Sequence, residues 1–450
     1  MKGKKVFVAV CMMAAVSIQM NAQNPIIRGI YSADPTARVF NGKVYLYPSH
    51  DIFPPEGQRQ DWFCMEDYHV FSSEDLMDWT DHGMIVTQNK VPWVRPNSYS
   101  MWAPDCVERN GKYYFYFPSA PQAGGGFAVG VCVADRPEGP FTPEAEPIKG
   151  IGGIDPCVLQ ASDGNAYIFW GAGRCAKLAP NMKELAADNP KETMRWGNRE
   201  IESVGVNCLQ GLPNRQAEGP FAFEYNGNYY LTYPYVRQNT EVLAYAMSKS
   251  PMGPYEYKGL IMAEHENGCW TNHHSIINYK GQWYLFYHHN DYSPKDDKRR
   301  SVCVDSLFFN PDGTIQEVKP TLRGVGISNA QKPIQIDRYS AIGSGASIEY
   351  HDTLNYFQGW KTVFPSAGAW VQYNKIELKN ASKTMTVRLK STKASTATLN
   401  LSNNKAQVKF PSTNGQWQEV KVAVKSLKKG VYDLKLTAGD AMEVDWVKFD

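Results

Sequence analysis

The feature that most constrains this chain is a hairpin written five times. Its clearest copy runs IDPCVLQASDGNAYIFWGAG, from Ile154 to Gly173. An acid-Pro step opens it, an apolar strand follows, an Asp-Gly turn reverses the chain, and an aromatic strand returns. The other copies are ADPTARVFNGKVYLYP from Ala33, WAPDCVERNGKYYFYFP from Trp102, EGPFAFEYNGNYYLTYP from Glu218 and HHSIINYKGQWYLFYHH from His273. Aligned on Gly42, Gly111, Gly164, Gly227 and Gly281, they bring Asp34, Ala103, Asp155, Glu218 and His273 to nearly one register. The copies recur irregularly, every 50 to 70 residues or so.

A second landmark repeats in phase. ADRPEGPF at Ala134 and SKSPMGPY at Ser248 each follow their own hairpin by about the same interval. The repeating unit is therefore a set of about four short antiparallel strands. Helical periodicity is almost absent, apart from a short piece near Met182 to Ala187. Five such units predict an all-β fold, a five-bladed β-propeller over residues 24–326. A pair of β-sandwiches with coincidental hairpins is the competing architecture, but it does not account for two landmarks in phase. Near Ile327 to Pro333 the polar SNAQKP reads as a linker. Beyond it, segments such as WVQYNKIEL, TMTVRLKS and MEVDWVKFD alternate strictly, as a half-buried antiparallel sheet does. Residues 334–450 are thus expected to form a β-sandwich, or jelly-roll, domain.

Composition narrows the function. Net charge is +2, with no run of like charges long enough for a basic stripe, so nucleic acid is a poor partner. Lys2, Lys4 and Lys5, the apolar run Val6 to Ile18 and the small Ala22 read as a secretory signal peptide over residues 1–22. The apolar run is too short to span a bilayer, and a secreted or periplasmic protein is expected. Cys64, Cys106, Cys132, Cys157, Cys175, Cys208, Cys269 and Cys303 form no CxxC pair, and buried free thiols are expected.

In a propeller the innermost strands line a central channel, so residues at one register meet near the axis. Asp34, Asp155 and Glu218 would crowd that axis with His273. Carboxylates in such proximity cannot all ionise freely. Glycoside hydrolysis needs such a set: one carboxylic acid to protonate the leaving oxygen, a second group to activate water or attack the sugar directly, and a third carboxylate to raise the pKa of the acid. A propeller that binds glycans without cleaving them is the alternative from another class, and it gains nothing from mutually repelling acids. A protein-interaction propeller lacks its usual recurring GH…WD signature.

From Asn24 to Gly326 the chain resembles glycoside hydrolase family 43, five-bladed propellers that remove arabinofuranose or xylose from plant polysaccharides. SADP, YLYPSHD, SSEDLMDW, MWAPD, GGIDP, AEGPF, NHHSIINYKG, FYHH and RRSVCV carry the resemblance, in order. It implies Asp34 as general base, Glu218 as general acid and Asp155 as the residue that orients Glu218 and raises its pKa. It also implies Arg300 as a substrate contact, Trp102 as a stacking wall, and His273 as the channel histidine that helps hold a metal or water. His50, His274, His288 and His289 read as ordinary hydrogen-bonded strand histidines. A five-bladed glycosidase of other specificity, such as those acting on fructans, fits the motif order less well.

The C-terminal part resembles a carbohydrate-binding module of family 6, through AWVQYNKIEL and VDWVKFD. That resemblance implies a structural calcium, with Asp337 and Asp445 matching acidic positions. Glu443 stands where such modules carry a sugar-binding Asn, and Trp360 and Trp417 remain as candidate stacking residues. The resemblances together imply a monomeric enzyme acting on plant poly- or oligosaccharide, with no cofactor required for catalysis and calcium as a structural ion in the channel and the C-terminal domain.

Overall fold

A computed structural model describes residues 24–196, 199–211, 217–265, 268–402 and 404–450. The expected signal peptide lies outside these residues.

Five sheets form the ring in the first part of the chain, and a separate two-stranded sheet pairs Lys191–Trp196 with Arg199–Val204. Tyr31–Phe40, Lys43–Asp51, Met65–Ser73 and Thr80–Thr87 pair in sequence as the first four-stranded sheet. Asp105–Arg109, Lys112–Ser119, Ala128–Ala134 and Thr142–Pro143 form the second. The third combines Cys157–Gln160, Ala166–Trp170, Arg174–Lys177 and Val206–Asn207. The remaining two depart from four strands. The fourth sheet has five, because Leu209–Gln210 adds in parallel beside Tyr255–Met262. The fifth has three: His274–Tyr279, Gln282–His289 and Ser301–Leu307.

The innermost strands touch in a closed ring. Tyr31–Phe40 packs on Asp105–Arg109, then come Cys157–Gln160, Phe221–Tyr225 and His274–Tyr279, which returns to the first. The free edge of the fifth sheet is covered by the start of the described chain. Asn24 brackets Val304, its side-chain oxygen accepting from the Val304 N–H at 2.8 Å and its amide donating to the Val304 carbonyl at 3.1 Å. Ile26 and Ser32 extend this contact through backbone bonds to Val302 and Arg300. Ring closure thus satisfies an edge that would otherwise be exposed.

The repeated turns explain the repeated register. In four copies the two central turn residues both have positive φ: Asn41 and Gly42, Asn110 and Gly111, Asn226 and Gly227, Lys280 and Gly281. This geometry matches strand twist in two-residue hairpins and favours Asn-Gly. The second landmark forms the turn into the outer strand of units two and four, between Ala128–Ala134 and Thr142–Pro143, and between Glu241–Ser248 and Tyr255–Met262. The helix expected near Met182 to Ala187 is not formed. The segment is a turn closed by a bridge between Leu178 and Leu185, with Met182 at φ 62° and buried under the second and third sheets.

The C-terminal part is a sandwich of two six-stranded sheets around a single core that includes Tyr373, Met385, Leu399, Leu436 and Phe449. The polar linker belongs to this body. Ser328–Asn329 pairs in parallel with Ile376–Glu377, and Ala330 lies in the core. The joint with the propeller is aromatic and cationic. Trp360 stacks on Tyr292 at 5.0 Å, and the Arg338 guanidinium lies 4.0 Å over Trp360. Arg338 also donates to the Asn24 carbonyl and, at 3.2 Å, to the Tyr292 hydroxyl. Among the described residues, no helix is long and apolar enough to cross a membrane. The eight cysteines from Cys64 to Cys303 are buried free thiols.

Candidate active site

Each acid at the axis is aimed by an unusual backbone. Asp34 and Asp155 have φ of 47° and 59°, and Gly219, after Glu218, has φ 52°. Left-handed conformations are uncommon for residues with a side chain, and a residue before proline normally prefers extended backbone. Strain of this kind persists where surrounding contacts enforce it, and it gathers at working sites. Here the enforcing contacts are visible. The Asp34 N–H donates to His288 Nδ1 at 3.0 Å, and the Gly219 N–H donates to Asp155 Oδ2 at 3.0 Å. His288 Nε2 faces the Thr271 carbonyl at 3.2 Å, so the ring is the neutral Nε2–H tautomer.

Asp34, Asp155 and Glu218 line one cavity of about 240 Å³ together with Ala103, His273, Trp102 and Arg300. All five positions of the aligned register therefore converge there, as do the tryptophan and the arginine singled out from the sequence. Trp62, Phe63 and Trp270 complete an aromatic rim. Phe63 and Trp270 stack at 6.2 Å. Further along the inner strands an ion pair crosses the channel, with Arg38 Nη2 2.6 Å from Asp105 Oδ2.

Two functional neighbours were given no role by the sequence. The first is Asp51, at the end of YLYPSHD. Arg300 lies between Asp34 and Asp51: Nη1 donates to Asp34 Oδ1 at 2.9 Å, while Nε and Nη2 donate to Asp51, each at 2.9 Å. The second is Glu241, which is 3% exposed and hydrogen-bonds Glu218 through its side chain. The Asn272 N–H donates to Glu241 Oε2 at 2.8 Å. Polar residues at the end of an otherwise apolar second strand, Lys43–Asp51, were the available signal for Ser49 and Asp51. Glu241 opens its strand after a polar turn, where acids are commonplace.

The electrostatics divide the acids into two groups. Burial alone would raise the Asp34 carboxyl, but Arg300, with His288, His273 and the Ser49 hydroxyl, holds it below the usual range. Asp155 goes the other way. Burial, then the charges of Glu218 and Asp34, push it well above that range. Glu218 is raised by burial and by Asp34, against the opposing Glu241 hydrogen bond and Arg300. Glu241 is raised strongly by burial and by Glu218. An ionised carboxylate thus shares one cavity with a proton-holding cluster, the separation that acid-base catalysis requires.

The residues expected to hold metal do not gather as ligands. His273 Nδ1 accepts the His274 N–H at 2.9 Å, which leaves the proton on Nε2. That Nε2 is buried without a partner. It is a hydrogen-bond donor at the cavity wall rather than a lone pair for an ion. Asp337 sits 3.1 Å from Arg338 Nε and in the field of Arg28. Asp445 pairs with Arg388 and, at 3.3 Å, with His351. Calcium takes six to eight oxygens. Both oxygens of Asp337 are buried without a hydrogen-bond partner, and the two carboxylates, each beside a guanidinium group, supply only part of such a set. Trp360 is likewise unavailable for stacking on sugar, since it is 6% exposed within the joint. Glu443 is held by Lys361 at 2.7 Å and Lys390 at 3.0 Å.

Comparison with known proteins agrees with this geometry. The model of glycosyl hydrolases family 43 matches residues 22–315, and that of carbohydrate binding module family 6 matches residues 339–450. Xylosidase/arabinosidase 43A of Humicola insolens is 39% identical over 335 residues, covering 66% of this chain and 99% of that protein. A solved structure of CoXyl43, a β-xylosidase/α-arabinofuranosidase from a compost microbial metagenome in calcium-free complex with xylotriose, matches with TM-score 0.57 and 35% identity. It covers 66% of this chain and 97% of that one. An arabinoxylan arabinofuranohydrolase from Bacillus subtilis shares the fold over 95% of this chain and 97% of its own, with TM-score 0.53 and 24% identity. A closed ring of five sheets, acids converging on its axis and a family match over the whole ring lead to one conclusion: the chain belongs to glycosyl hydrolases family 43 and is a glycoside hydrolase, carrying a family 6 carbohydrate-binding module behind its propeller.

Proposed function

We propose that this hydrolase removes terminal α-L-arabinofuranosyl or β-D-xylosyl units from arabinoxylan, xylan or their oligosaccharides, by single-step inversion. The observation that carries the proposal is the shared cavity of Asp34, Asp155 and Glu218 beneath an aromatic rim. At about 240 Å³ it is smaller than a pocket for a drug-sized ligand, and it suits a terminal sugar rather than a long chain segment. Relatives named as xylosidase/arabinosidase and arabinoxylan arabinofuranohydrolase supply the sugar class.

In the proposed reaction Asp34 accepts a proton from water as the water oxygen attacks the anomeric carbon. The glycosidic C–O bond breaks, and Glu218 gives its proton to the departing oxygen. Asp155 steadies Glu218 through the Gly219 N–H, and its proximity keeps a proton within the carboxyl cluster. Arg300 holds the Asp34 carboxylate ionised and oriented, His273 donates to a sugar hydroxyl, and Trp102 walls the ring. The scheme needs only carboxyl groups and water. Residues 1–22 export the enzyme to where polysaccharide is found.

Proton NMR of hydrolysis of nitrophenyl α-L-arabinofuranoside and β-D-xyloside tests this. The first sugar released should carry the opposite anomeric configuration to the substrate. Release with retained configuration, or inactivity on both substrates, overturns the reading. Glu218→Ala should lose about 10²- to 10⁴-fold on natural linkages and much less on the activated nitrophenyl group, which needs little protonation.

A further inference from the structure

Behind the catalytic strands lies a second cluster of ligand-type side chains. Gln282–His289 ends in two adjacent histidines that point to opposite faces, as strand geometry demands. His288 faces Asp34. His289 lines a separate cavity of about 620 Å³ between the propeller and the C-terminal sandwich. His265 and Asp291 line the same cavity. One ligand atom from each of His265, His289 and Asp291 lies within 4.8 Å of the others. His265 Nε2 is 3.9 Å from Asp291 Oδ1, and the two imidazole rings converge with centroids 3.4 Å apart. His289 is 2% exposed, and its Nε2 has no hydrogen-bond partner. A strand histidine is expected to be hydrogen-bonded, so the bare nitrogen beside two further donors calls for an explanation.

We infer that His265, His289 and Asp291 form a binding site for one divalent transition-metal ion, of which zinc fits best. Two imidazoles and a carboxylate are borderline ligands that suit zinc, and they leave a fourth position for water from the cavity. Tetrahedral zinc with bonds near 2.0–2.2 Å has ligand-ligand edges of roughly 3.3–3.6 Å. The observed spacing, 3.9 Å for His265 to Asp291 and at most 4.8 Å for the others, closes to that with a contraction of about 1.5 Å or less. The cavity supplies an entry path. The ion would act on the joint between domains. The Asp291 carbonyl accepts from the Tyr350 hydroxyl of the sandwich, and the next residue, Tyr292, stacks on Trp360. Fixing Asp291 therefore fixes the segment on which the sandwich rests.

The experiment uses untagged full-length protein stripped with EDTA. Equilibrium dialysis against ZnCl2 should give one tightly held zinc per chain, and Tm should rise with free zinc as mass action requires. Cobalt(II) should give the intense visible bands of a tetrahedral site. His289→Ala should weaken zinc binding by about tenfold or more. Should that variant fail to fold, His265→Gln, on the half-buried side of the cavity, serves the same purpose. Its folding is checked by nitrophenyl glycoside hydrolysis, which should match the parent. Absence of stoichiometric zinc, or unchanged zinc affinity in His265→Gln, overturns the inference.

Discussion

Asp51→Asn is the most informative substitution, because it changes one charge and almost no volume. Asp51 is 1% exposed and accepts three bonds from Arg300: from its N–H at 2.8 Å and from Nε and Nη2 at 2.9 Å each. The group formed by Asp34, Arg300 and Asp51 carries one net negative charge when ionised. In the variant it carries none, and the whole guanidinium charge falls on Asp34. Two carboxylates flanking one guanidinium are roughly 6 Å apart, which at an effective dielectric near 20 is an interaction of about 2.8 kcal/mol. Losing that repulsion lowers the already depressed Asp34 carboxyl further and makes it a weaker base. If about half of the change is felt in the transition state, the barrier rises by about 1.4 kcal/mol, or tenfold in rate. Asn also presents a donor to a donor, and losing charged hydrogen bonds should cost about 2–4 kcal/mol of stability. Asp34, whose folded pKa is depressed, contributes stability above its unfolded pKa and loses it as pH falls through the folded value. The variant should push that loss, and the acidic limb of the kcat/KM profile, to lower pH. The assay is a pH-rate profile with a nitrophenyl glycoside, beside urea unfolding. An acidic limb that stays in place or moves up would refute the reasoning.

The hydrogen bond from Glu241 lowers the Glu218 carboxyl, so Glu241→Ala should move the alkaline limb of the profile to higher pH, while Glu241→Gln, which keeps a donor, should leave it nearly in place; equal profiles for the two variants would remove Glu241 from the site. Trp270, 38% exposed on the rim, should act in binding alone: Trp270→Ala should raise KM by about 2- to 10-fold, from roughly 0.5–1.5 kcal/mol of ring contact, with kcat held. Gly130→Ala would bring a methyl group 2.4 Å from Trp93 Cζ2, and calorimetry should show about 1–3 kcal/mol of destabilisation by overpacking; an unchanged Tm would mean that Trp93 moves freely.

The propeller was legible because its information is local and repeated. A turn that demands positive φ at two adjacent residues announces itself as Asn-Gly, and fixing the turn fixes which residue of the inner strand meets the axis. Asp34, Asp155 and Glu218 could therefore be read as neighbours from sequence alone, although their partners could not. Arg300 meets Asp51 across 249 residues and Asp34 across 266, and no spacing rule connects such positions. Glu241 becomes a proton-sharing neighbour of Glu218 only because the strands of the fourth sheet pair in a register that sets the start of Glu241–Ser248 beside the start of the innermost strand. The same limit applies to the C-terminal domain. Trp360 as a sugar platform and Asp337 as a calcium ligand are sound readings of a module in isolation, but the packed chain stacks Trp360 on Tyr292 and sets Arg338 beside Asp337. Ser328–Asn329, polar enough to read as linker, joins a sheet because the sandwich offers a free edge there. Backbone geometry and hydrophobic alternation act within a few residues, so sequence determined the sheets and the register of the acids. Charge balance and burial depend on what the fold brings from hundreds of residues away, and tertiary structure alone decided the protonation of those acids and the joint on which the second domain rests.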